Sequence, residues 1–143
     1  MRAFILPEED AKPIAEHIVS FFSRLYPKYY FILSKKTYTP SEISNLYYTE
    51  IGVENESLFP NGIHSIMYEI EHRHYKTPMI VIQRGRKHII IDGQKRALAA
   101  FILGIPWSAF VIKTNAKRLF IEKTIVGKVE DVVRQFFKSK FVN

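Results

Sequence analysis

The sequence predicts an α+β fold: a small mixed sheet with flanking helices, preceded by an N-terminal helical extension. Three observations carry this. Met79-Ile80-Val81-Ile82 and His88-Ile89-Ile90-Ile91 are apolar runs of strand length, split by the turn Arg84-Gly85-Arg86-Lys87. Stretches 8–25, 63–74 and 94–103 instead repeat their apolar residues at helical spacing. There is no internal repeat, and no apolar run approaches the roughly 20 residues a membrane span needs.

Residues 8–25 read as an amphipathic helix with Ile14, Ile18, Phe21, Phe22 and Leu25 on its apolar face. Glu8, Glu9 and Asp10 suit its first turn, where the helix dipole favours acids, and Pro27 stops it. Tyr29–Leu33 is a short strand. Thr39-Pro40-Ser41-Glu42 opens a second helix, with Thr39 as cap, running to about Tyr48. Residues 52–62 read as a loop because Pro60-Asn61-Gly62 breaks them. A helix follows over Ile63–His74, then the two apolar strands. Asp92-Gly93 ends the second strand, and a helix over Gln94–Leu103 starts at once. Gly104 is placed to terminate it and Pro106 to prevent its continuation. Trp107–Ile112 is a strand, Leu119–Glu122 another, and Val129–Phe137 a helix.

The chain has no cysteine. That excludes disulfides, thiolate metal sites and cysteine redox chemistry. The short apolar N-terminus does not read as a signal peptide, so a soluble, cytoplasmic protein is expected. Net charge is +7, and it is unevenly spread. Residues 1–62 carry 6 basic and 8 acidic side chains, residues 63–112 carry 7 and 3, and residues 113–143 carry 8 and 3. A positive field over the last 80 or so residues attracts phosphates, of a nucleotide or of a nucleic acid backbone.

Chemistry concentrates at Asp92-Gly93-Gln94-Lys95-Arg96. A buried strand passes straight into a helix, whose first N–H groups have no intrahelical acceptor. Those groups and the dipole make an anion site, and Gly93 lets the backbone approach an oxyanion. Lys95 and Arg96 oppose the dipole in the turn where acids are preferred, a local conflict that an anion would relieve. Elsewhere the signals are weaker. His72-Arg73-His74 places its two histidines on different sides of a helix, and no third ligand accompanies His64 and His72. The tyrosine-rich runs 26–31 and 47–48 read as core.

Thr77-Pro78-Met79-Ile80-Val81-Ile82, the basic turn, Ile89-Ile90-Ile91-Asp92-Gly93-Gln94-Lys95-Arg96, Leu103-Gly104 and Val111-Ile112 resemble, in order, the signature of the ParB/sulfiredoxin-like superfamily. The resemblance spans residues 54–114. It implies a nucleotide-binding core there, with residues 1–53 as an N-terminal extension and 115–143 as a basic strand and helix packed on the core. It also implies that Asp92, Gly93, Gln94, Lys95 and Arg96 hold the phosphates of ATP or ADP, or of CTP, with Mg²⁺ bridging them. Gln94 stands where sulfiredoxins carry their reactive cysteine, which excludes that activity. Residues 113–143 are expected to be too few for the DNA-reading and dimerisation segments of a partition protein.

The free-serine kinase branch carries Asp-Gly-His-His-Arg at the turn and a His-Glu pair upstream whose Glu is the general base. Counted back, that pair falls on Asn55-Glu56, so Glu56 is the candidate catalytic base. Asn55 and Gln94-Lys95 depart from the pattern. The leading expectation is therefore phosphoryl transfer from a nucleotide to a small molecule such as a free amino acid, or ATP hydrolysis. The alternative is a DNA-binding or DNA-cleaving protein using Lys113, Lys117, Arg118 and Lys123 around Phe120, with the nucleotide as a switch or absent. No membrane partner is expected.

Overall fold

A computed structural model describes residues 6–50 and 59–141. The first helix, α1 (Glu8–Leu25), has the predicted bounds and an acidic first turn. Strand β1 (Phe31–Tyr38) follows, longer than the expected Tyr29–Leu33. It runs antiparallel to β5 (Trp107–Thr114) over its whole length, from Phe31 opposite Thr114 to Tyr38 opposite Trp107.

Helix α2 (Pro40–Ser44) starts as the sequence predicts. The Thr39 hydroxyl accepts from the Glu42 N–H at 3.2 Å, and the Glu42 carboxylate accepts from the Thr39 N–H at 3.0 Å. The helix does not reach Tyr48. It stops at Ser44, and Tyr47–Thr49 forms β2, because these aromatic and β-branched residues pair with neighbouring strands.

Helix α3 (Phe59–Arg73) corrects another boundary. Pro60-Asn61-Gly62, expected in a loop, lies in its first turn, where proline has no N–H to lose. Then come β3 (Met79–Arg84), a two-residue turn with Gly85 at φ 63°, β4 (Lys87–Asp92) and α4 (Gln94–Leu103). Gly104 ends α4 in the left-handed conformation at φ 69°. Leu119–Glu122 is not a strand. Phe120–Thr124 forms a 3-10 turn, held as the Glu122 carboxylate accepts from the Leu119 N–H at 2.9 Å. A strand missed in the sequence, β6 (Ile125–Lys128), and α5 (Val129–Phe141) complete the chain.

Among the described residues the six strands form one mixed sheet in the order β1-β5-β3-β4-β2-β6. Residues 1–53, expected as a helical extension, thus contribute two of its strands. Side chains alternate across the sheet and make two cores. On one face Met79, Val81, Ile90, Ala109 and Val111 pack under α2, α3, α4 and α5 through Ile43, Ile63, Leu98 and Val133. On the other, Ile80, Ile82, Ile89 and Ile112 pack under α1 and the 3-10 turn through Ala15, Phe22, Leu119 and Ile121. Each such aliphatic contributes about 1.5–3 kcal/mol by leaving water. Phe21 and Leu25, expected on the buried face of α1, are instead 45% and 48% exposed.

Candidate functional site

The β4–α4 turn is built where the sheet is already irregular. Ile80 faces Asp92 while Val81 faces Ile90, so Ile91 is an extra residue that bulges β4 just before the turn. Gly93 then takes φ 89°, ψ 27° and stands as the cap of α4, with no side chain to satisfy the helix's first N–H groups. A β-carbon on Gly93 would lie 2.7 Å from both Arg96 Nη2 and Met79 Cβ, and 2.8 Å from Arg96 Nε. Only glycine fits between the end of β4 and the guanidinium.

Arg96 is the most constrained member of the turn. It is 6% exposed. Nη2 donates to Asp92 Oδ2 at 3.1 Å and Nη1 to Tyr75 Oη at 3.2 Å, while Nε is buried with no partner among the described residues. Tyr75, which the sequence did not single out, lies between α3 and β3. Its ring lies 6.4 Å from that of Trp107, whose Nε1 donates to the Thr77 carbonyl at 2.9 Å. The guanidinium is therefore held in place from below.

Gln94 takes a different role from its neighbours. It is 7% exposed, and its Nε2 donates to Thr49 Oγ1 at 3.2 Å and to the Ile91 carbonyl at 3.1 Å. Thr49 Oγ1 in turn donates to the Ile90 carbonyl at 2.7 Å. This buried chain ties β2 to the turn. Lys95 lies against the first turn of α3, its Nζ 2.7 Å from where a β-carbon of Gly62 would stand. Asp92 keeps its side chain 43% exposed. The turn thus brings Asp92, Gly93, Lys95 and Arg96 together at the start of α4, with Gln94 turned inward as a brace. Glu56, the candidate base, lies outside the described residues.

The basic C-terminal residues separate. Arg118 and Lys123 line an open depression of about 480 Å³ with Tyr26, Leu119, Phe120 and Glu122. Lys113 alternates onto the opposite face of the sheet, where its charge and that of Lys36 reach His88. Burial alone would raise the Glu122 carboxyl, but bonds from Arg84 at 2.7 and 2.8 Å, from the Leu119 N–H and from Lys87 hold it below the usual range. The histidines do not converge: His72 packs against Tyr68 with ring centroids 4.4 Å apart and planes tilted by 33°, and His74 lies past the end of α3 at φ 56°. Among the described residues no three His, Asp or Glu side chains are grouped to hold a metal ion, and no helix is long and apolar enough to cross a membrane. Comparison with family models, with curated proteins and with solved structures finds no match to this chain.

Proposed function

We propose that the β4–α4 turn binds the phosphates of ATP or ADP, and that the chain uses the bound nucleotide for phosphoryl transfer to a small molecule or for hydrolysis. One observation carries the reading: the Arg96 Nε, buried and without a partner among the described residues, lies over Gly93 at the uncapped start of α4. An unsatisfied buried donor costs about 1–3 kcal/mol, more when it is charged. A phosphate oxygen would relieve that cost and accept from the first N–H groups of α4 at the same time. Lys95 adds a compact charge, and Asp92, whose side chain is 43% exposed beside Arg96, would offer a carboxylate oxygen to a Mg²⁺ ion bound with the phosphates, which would neutralise their charge. The ordered resemblance of residues 77–112 to the ParB/sulfiredoxin-like signature supports the same ligand.

In the transfer, an acceptor hydroxyl oxygen bonds to the terminal phosphorus as the bridging P–O bond breaks. The shortened nucleotide leaves and the hydroxyl proton passes to a carboxylate. Glu56 is proposed for that proton on the strength of its place in the family pattern. Calorimetry with ADP, ATP and CTP tests the reading. Binding by the wild type, weakened at least tenfold in Lys95→Ala and in Arg96→Ala, is the expected result. Unchanged affinity in a folded Arg96→Ala protein overturns the assignment. Glu56→Gln should abolish turnover while leaving affinity nearly intact, and full activity in that variant removes Glu56 from the role.

A further inference from the structure

The sheet has a second pole, away from the phosphate turn. Asp92 pairs with Ile80 near the start of β3, whereas Arg84 ends β3 opposite Thr114 at the end of β5. Five residue steps of about 3.3 Å separate the two ends of β3, roughly 17 Å. At the Arg84 end lie the exposed cations Arg86, Lys117, Arg118 and Lys123, none of them in an ion pair among the described residues. Glu122, which lines the same depression, is paired with Arg84 and Lys87. Four exposed cations outside any ion pair among the described residues make the local field positive.

Amid these cations stands an exposed aromatic ring. Phe120 is 46% exposed. It stacks on Phe22 with centroids 5.8 Å apart and an interplanar angle of 25°, and Phe21 meets it edge-on at 6.4 Å. The Phe120 N–H donates to Tyr26 Oη at 2.7 Å, which fixes the backbone beneath the ring. Phe120 thus packs on Phe22 and, still 46% exposed, lines the depression together with Arg118 and Lys123.

We propose that this depression binds single-stranded nucleic acid, with a base stacked on Phe120 and the adjacent phosphates on Arg118, Lys123 and Lys117. An exposed aromatic ring held in place by a second ring offers a stacking surface to any base, and free cations beside it follow the backbone. A duplex keeps its bases stacked on each other and offers no free face to Phe120. An acidic peptide would satisfy the cations but has no planar group for the ring. The proposal is independent of the nucleotide reading, since none of its residues belongs to the β4–α4 turn.

The test is fluorescence anisotropy of the full chain with a labelled twenty-nucleotide oligo-dT, against a duplex of equal length and against polyglutamate as competitor. The single strand is expected to bind more tightly than the duplex, and polyglutamate to displace it only at large charge excess. Phe120→Leu, which keeps the apolar packing on Phe22, should weaken binding roughly tenfold, and Phe120→Trp should restore it. The double variant Arg118→Ala/Lys123→Ala should lower the slope of log affinity against log salt by about 1.4. Lys95→Ala should leave all of this unchanged. No binding at low salt, equal or tighter duplex binding, displacement by polyglutamate at equal charge, or wild-type affinity in Phe120→Leu overturns the proposal.

Discussion

Gly93 shows how one residue can be required twice. Its φ of 89° is a conformation L side chains rarely adopt, and the space its β-carbon would fill is taken by Arg96 and by Met79 Cβ. Left-handed strain costs roughly 1–2 kcal/mol and overpacking a further 1–3. Gly93→Ala is therefore expected to destabilise the protein by about 2–5 kcal/mol, measured as a lowered denaturant midpoint. A midpoint equal to wild type would show that Arg96 can move aside at little cost, and that the turn is not rigid. Arg96 itself was legible in the sequence as a cation out of place in a first helical turn. Its burial and its bond to Tyr75 were not legible, because Tyr75 is 21 positions away and no spacing rule connects them.

Elements meet in ways their own sequences do not announce. Tyr38 closes β1 and His88 opens into β4, strands that are not neighbours in the sheet, yet Tyr38 Oη lies 2.7 Å from His88 Nδ1. Burial pushes the Tyr38 hydroxyl well above its usual range, reinforced by the Glu42 charge. Burial also lowers His88, helped by the Lys36 and Lys113 charges and opposed by Glu42. A histidine lowered in the fold adds stability that is fully present above the ordinary value of 6.5 and lost as pH falls through the lowered one. Thermal midpoints should thus decline as pH drops below 6.5, and His88→Asn should flatten that decline. An unaltered slope in the variant would place the acid sensitivity elsewhere. Glu42, also lowered, by the Thr39 N–H first and then Lys36, loses its contribution only as pH falls below its ordinary 4.5.

At the scale of the whole molecule, β1 and β2 tie the N-terminal part of the chain into the sheet. β1 covers the full length of β5, and β2 joins β4 to β6. A chain beginning at residue 54 would leave β5 an open edge with its backbone groups unpaired and Phe31 and Tyr38 missing from the two cores. It is expected to be unfolded or aggregated by circular dichroism and size-exclusion chromatography. A folded, monomeric 54–143 fragment would refute this dependence. The same sheet sets the β4–α4 turn at the Ile80 end of β3, and Arg84, which pairs with Glu122, at the other end.

Local information determined a good deal of this protein. Helix α4 was legible to the residue, since Gly93 and Gly104 bracket an apolar-periodic stretch and each takes a positive φ that no neighbour would accept as cheaply. The strand–turn–strand before it was legible from two β-branched runs around a glycine turn, and α1 from its acidic start and helical period. Tertiary structure decided the rest. Tyr47–Thr49 is too short to declare itself and becomes a strand only because β4 and β6 supply its hydrogen bonds. Leu119–Glu122 has strand-forming residues, but Glu122 is drawn to Arg84 and curls the segment. Pairing across the sheet and charge pairing over 38 positions are energies that no sequence window contains, so they could be read only once the chain was folded.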